Sequence, residues 1–487
     1  MSREALDKKL QLLEMSKSVQ TAISKAVARS LFRTTNEPKE NYAYLSVDDN
    51  LTNHIGIEYI DFGCKFFLIE DYPTSSYCFT KGAECLESIH TFEEDTVMFR
   101  KYYGLIASMA FYAGFQYSRA FILINKFEED TPLASLVSLF VKRSFDELTD
   151  TVENMVVGHD YKESGLIESD DIDRSIEKIF EINIAKSLYC FVQYYYTGDE
   201  NLLSKAKEKL DILLSMAETE RLVALWWVVR LLVIILDGFR QSSLWTLVGN
   251  YHDVHSPDSL ARKYVLSLIY RNPPITELFI SQRAALPQIF NQDTKGTVVS
   301  IPTSSGKTRI AELAILDSLI RNPEGKILYI APFRSLAYEI ENSLGTLFAT
   351  AQVRVSHLYG GSLFTSLDVE ELSDAHVVIA TPEKTKAIFR CQKDFFQSLS
   401  LFVMDEGHLL GGDNRQIGNE IFYEELKHYL KDYSCKYLLL SAVLPNTSDL
   451  SQWLTGSDSN VYNHDWRPSK QICGILNWNG AYVGFTE

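Results

Sequence analysis

Residues 297–308 read TVVSIPTSSGKT, and helical spacing of apolar residues sets in directly behind them, over 308–321. A short apolar run ending in a proline and a serine–glycine turn predicts a strand, a tight loop and a helix N-terminus in immediate succession. Such a loop suits a phosphate chain. Backbone N–H groups of Thr303, Ser304, Ser305 and Gly306 can converge on the anion, and the helix dipole adds favourable potential. Lys307 would reach the β- and γ-phosphates, and the Thr308 hydroxyl would hold Mg²⁺. The strict phosphate-loop pattern asks for glycine at position 301, where this chain has Ile301. The expectation therefore rests on the strand–loop–helix context and on partners elsewhere.

The main partner lies downstream. Residues 401–408 read LFVMDEGH, an apolar run followed by two carboxylates. This places Asp405 and Glu406 at the carboxyl end of a buried strand, where ligands bind in open α/β sheets. Asp405 would anchor Mg²⁺, directly or through water, and Glu406 would polarise the attacking water. Further apolar runs at 326–332, 353–359, 376–382 and 436–442 alternate with helical stretches such as 335–348. Nearly all-apolar strands linked by helices predict a parallel sheet covered on both faces. We expect this α/β motor domain over 271–465, after Asn272-Pro273-Pro274, with 466–487 as a linker toward a further domain.

The region before it has another texture. Helical spacing dominates at 81–90, 101–126, 175–197, 202–216 and 220–237, broken by turns at 71–74 and 197–199. No fixed repeat period emerges, so residues 1–270 read as an all-α module of irregular helical hairpins. The acidic stretch 163–173 reads as a solvated loop. A chain of 487 residues with 46% hydrophobic content has room for two or more such cores.

Charge limits the partners. Residues 1–265 carry 28 basic and 40 acidic side chains and the remainder 19 and 24, within a net charge of −17. Contact with nucleic acid must then be local, made by loops and backbone amides rather than by a basic face. The seven cysteines form no CxxC pair, which opposes a zinc ribbon or a disulfide framework and suits a cytoplasmic location. His54, His90 and His159 lie far apart, and His252 with His255 has no third ligand nearby in sequence. The greasiest stretch, 222–236, contains Arg230 and is too short to span a bilayer.

Taken together, Lys307, the 405–408 box and Ser441-Ala442-Val443 resemble the first motor domain of superfamily-two DExH-box helicases. The branch most similar contains the exosome-assisting RNA helicases and the archaeal repair helicase. That resemblance implies ATP and Mg²⁺ as cofactors, with Lys307, Asp405, Glu406 and His408 catalytic and Thr308 and Asp405 on the metal. Gln282 falls where the family reads adenine. Arg334, in the segment 331–337 (APFRSLA), resembles a strand-contacting motif, as do Gly360-Gly361 and the run Thr381, Pro382, Glu383, Lys384. These loops can meet a phosphate backbone without sequence preference. Ser441, Ala442 and Val443, with Val443 in place of the family's threonine, would couple nucleotide to strand. Arg467-Pro468 fits the branch's linker into a second motor domain, so the chain reads as part of a longer protein.

In domain order the chain is also similar to the helicase subunit of Hachiman-type bacterial antiviral systems. That likeness implies DNA rather than RNA as ligand. It also implies a protein partner on the helical half, a nuclease effector being the natural candidate. The other readings are a repair or RNA-decay helicase without an effector, and a non-catalytic ATP-binding scaffold.

Overall fold

The strand Leu399–Met404 is buried at every position, as a strand covered on both faces must be. In the computed structural model the described residues are 3–34, 45, 48–90, 97–126, 131–157, 172–358, 366–410, 414–442, 444–468, 475–478 and 483–486. Among them one sheet contains seven strands: β1 Gly296–Ser300, β2 Lys326–Ile330, β3 Val355–Leu358, β4 Val377–Ala380, β5 Leu399–Met404, β6 Lys436–Ser441 and β7 Val461–Asn463. Their order is β3-β4-β2-β5-β6-β1-β7. Every pairing is parallel, with Val299 opposite Leu440 and Ile330 opposite Met404. Because β5, β6 and β1 are successive neighbours, the chain leaves Met404, Ser441 and Ser300 along one carboxyl edge.

The apolar runs expected as strands are strands. The three-residue β7 was not anticipated, because a run this short carries no periodicity to detect. Phe389, Phe422 and Leu426 pack with Val298, Leu328, Val378, Phe402 and Leu439 in one core cluster. Each such side chain contributes roughly 1.5–3 kcal/mol on burial.

The chain divides into two compact units, one holding the residues up to Arg240 together with those from Pro468 on, the other Gln241–Arg467. The sequence reading put this boundary at 270. Residues 241–270 instead join the sheet unit, where helix Leu260–Ile269 packs on Lys307–Arg321 and Arg334–Phe348. Leu244 and Leu278 donate backbone hydrogen bonds to Thr276 and Ser242 at 2.8 Å each. Helical spacing marks a buried face but does not say which neighbour covers it.

The first unit is helical throughout its longer elements. Asp49–Leu68 and Tyr72–His90 form a hairpin of close-packed helices. A Cβ on Gly82 would come within 2.7 Å of the Gly56 carbonyl oxygen, so the approach requires glycine. The helically spaced stretch 101–126 holds two helices, Val97–Ala113 and Tyr117–Ile124, parted where Phe115 takes φ 61°. Asp48, Thr131 and Asp199 accept N–H groups at helix starts. Phe140, Phe145, Phe191 and Phe239 join in a chain of edge-on and tilted ring contacts. Residues 475–478 and 483–486 pair as an antiparallel ribbon. Most of the acidic stretch 163–173 lies outside the described residues. No described helix is long and apolar enough to cross a membrane.

Candidate active site

β1 delivers Ile301 and Pro302, both buried, into a loop with Ser304 at φ 66° and Gly306 at φ 83°. Gly306 starts helix Lys307–Arg321, and a Cβ there would lie 1.9 Å from the Gln282 amide nitrogen. The left-handed backbone calls for glycine, and a Cβ would displace the Gln282 amide. Gln282 donates through Nε2 to the Gly306 carbonyl (3.1 Å) and accepts the Phe279 N–H at Oε1 (2.9 Å). The glutamine expected to read adenine therefore braces the loop. Ser305 is fully buried and its hydroxyl donates to the Trp466 carbonyl at 2.9 Å. Thr303 and Ser304 are exposed at the loop's tip.

The sheet brings the Asp405–Glu406 carboxylate pair to this loop. Lys307 Nζ lies 3.3 and 3.2 Å from the two carboxylate oxygens of Glu406. Glu406 itself takes φ 53°, a strained setting for a side-chain-bearing residue. Asp405 accepts the Tyr329 hydroxyl at Oδ2 (2.6 Å) and the Glu406 N–H at Oδ1 (2.8 Å). Burial pushes the Asp405 carboxyl above its ordinary range, with the tyrosine hydrogen bond opposing that shift. Burial and the neighbouring Asp405 push the Tyr329 phenol up, so it stays a proton donor. Tyr329 was not foreseen as a site residue, since within an apolar strand it reads as core.

His408 closes the constellation. Its Nδ1 sits 3.2 Å from Glu406 Oε2 and 3.4 Å from the Ser441 hydroxyl, joining the 405–408 box to the end of β6. Ala442 follows Ser441 out of that strand, and Val443 lies outside the described residues. Gly407 is forced by close approach, because a Cβ would meet Leu439 Cδ2 at 2.4 Å. We expect Gly407→Ala to cost about 1–3 kcal/mol through this overpacking. The change in denaturant midpoint measures it, and an unshifted midpoint would refute the steric argument.

The strand-contact candidates behave less uniformly. Arg334 opens helix Arg334–Phe348 and is exposed. Thr381 is the N-cap residue, and Pro382 the first residue, of helix Pro382–Cys391, with both side chains buried. Lys384 departs from its expectation. It is only 4% exposed and its ammonium donates to Asp368 at 2.8 Å, so it is an internal ion pair rather than an open phosphate contact. Gly360 and Gly361 lie outside the described residues. Arg415 takes a bracing role. Its Nε donates to Glu383 (2.8 Å) and its Nη2 to the Pro332 carbonyl (3.2 Å), tying the loop after β2 to the first turn of helix Pro382–Cys391. Among the described residues no group of three or more His, Cys, Asp or Glu could hold a metal. The donors at hand, the Thr308 hydroxyl and the Asp405 carboxylate, are hard oxygens of the kind Mg²⁺ takes alongside substrate phosphates.

Over part of its length the chain is similar to known helicases. The DEAD/DEAH box helicase family matches residues 280–450. The Hachiman protein HamB of Bacillus cereus is 35% identical over 486 residues, 98% of this chain and 42% of the relative. The ATP-dependent DNA helicase Hel308 of Methanocaldococcus jannaschii is 31% identical over 205 residues, 41% of this chain and 16% of that protein. The chain thus spans less than half the length of either relative. Among solved structures, the helicase MrfA bound to DNA aligns at 23% identity with a TM-score of 0.37, covering 43% of this chain and 30% of that one. The family match thus identifies a DEAD/DEAH box helicase domain over residues 280–450, and the likeness to HamB takes in the helical half as well.

Proposed function

We propose that this chain is the ATP-binding motor part of a helicase of Hachiman-type antiviral defence. The observation that carries the reading is the Lys307–Glu406 pair, which sets the loop after β1 against the acidic end of β5. When nucleotide enters, Lys307 turns to the β- and γ-phosphates and Glu406 is freed to orient water and accept its proton. Thr308 and Asp405 would hold Mg²⁺, which would supply positive charge beside the phosphate oxygens. Tyr329 keeps Asp405 oriented. His408, between Glu406 and Ser441, carries the state of the acid pair to the end of β6. Arg334, Thr381 and Pro382 contact the strand backbone, with Gly360 and Gly361 assigned the same role from sequence.

DNA is favoured over RNA as the strand, on the likeness to the DNA helicase Hel308. The helical half has a net charge of −12 over residues 1–265, which suits a protein partner with a basic surface such as a nuclease held inactive. The test of the motor reading is ATP turnover by the protein with and without single-stranded DNA and RNA. Stimulation by DNA supports it, and turnover indifferent to both strands refutes it. For the partner, deleting residues 1–240 is expected to abolish co-purification of the effector. A partner retained by the truncated protein would place the platform on the motor instead.

A further inference from the structure

We propose that Phe333 stacks on an unpaired nucleobase of the bound strand, adding a non-ionic contact beside the backbone-contacting loops. The proposal rests on the reading of the chain as a nucleic-acid motor. Phe333 occupies the N-cap of helix Arg334–Phe348 and supplies no side-chain hydrogen bond there. Serine, threonine, aspartate or asparagine would stabilise that helix start, so phenylalanine is a poor choice for folding. Nor does it serve the core. Its side chain is 49% exposed, whereas Phe348, Phe389, Phe396 and Phe402 in the same unit are buried to 3% or less.

Its surroundings fit a base. β2 and β4 are paired neighbours, and the Ala331 N–H donates to the Ala380 carbonyl at 3.0 Å. Phe333 therefore leaves the sheet beside Thr381 and Pro382. The Arg415 guanidinium lies 6.0 Å from the ring centroid and is itself held by Glu383 and the Pro332 carbonyl. The aromatic is thus set on a braced loop, with Arg334 next in the chain. A net charge of −17 also weakens general attraction to phosphates, so a contact indifferent to charge is what strand affinity needs. Base–aromatic stacking is such a contact, and every base has a π-face to offer.

The test is equilibrium binding of the whole chain to a short oligothymidylate and to an abasic strand of equal length. Phe333→Ala is expected to weaken oligothymidylate binding about tenfold or more. The slope of log affinity against log salt should stay as in the wild type, since no phosphate contact is lost. Binding of the abasic strand should not change. Phe333→Tyr and Phe333→Trp should retain affinity, and the new tryptophan's fluorescence should be quenched by oligothymidylate but not by the abasic strand. Equal losses on both strands, or Phe333→Leu binding as well as wild type, would overturn stacking while leaving the motor reading intact. A wild-type chain that binds neither strand would overturn both.

Discussion

Glu406→Gln is expected to keep ATP binding and lose ATP turnover by roughly 10²–10⁴-fold, the range a positioned general base supplies. The carboxylate lies beside Lys307 at 3.2 Å, so removing its charge frees the ammonium and leaves nucleotide affinity equal or higher. Lys307→Ala should differ in kind. It removes the cation that meets the β- and γ-phosphates, so affinity and turnover fall together. Nucleotide binding and phosphate release, measured side by side on both variants with single-stranded DNA present, separate the two roles. Normal hydrolysis by Glu406→Gln would sink the assignment of this site.

The second large effect concerns stability. Arg309 and Glu312 form an ion pair in the first turns of helix Lys307–Arg321, and they are 9% and 2% exposed. Tyr264 of helix Leu260–Ile269 is buried within electrostatic reach of both. Arg309→Met would strand a buried carboxylate without its cation, at a cost of about 3–5 kcal/mol. Arg309→Met combined with Glu312→Leu should recover most of that loss, because two well-packed apolar side chains need no solvation. Denaturant unfolding followed by a probe in the sheet unit measures both. A single variant as stable as wild type, or a double variant as unstable as the single, would contradict this account. Since the pair begins directly behind Thr308, its loss should also loosen nucleotide binding, which links the helix at 260–269 to the phosphate loop.

How much of this could be read in advance differs from element to element. Local pattern suffices where a strand is buried on both faces and a loop needs particular residues. The runs around Val298, Leu328, Val378, Phe402 and Leu439 announce core strands by continuous apolar character. Gly306, Lys307, Asp405 and Glu406 announce the site because phosphate chemistry needs those residue types at strand ends. Contacts made across the fold leave no such local trace. Tyr329 looks like any core aromatic until β2 and β5 lie side by side and its hydroxyl meets Asp405. Lys384 looks like an open cation until the fold sets Asp368 against it. The division near Arg240, the left-handed Phe115 and the clamp made by Arg415 are likewise decided by which surfaces meet. Sequence alone thus determined the strand–loop–helix chemistry and the two textures of the chain, because backbone periodicity and phosphate binding are local. Only the tertiary structure decided which charges are paired, which are open and where one unit ends, because burial and pairing depend on residues distant in the chain.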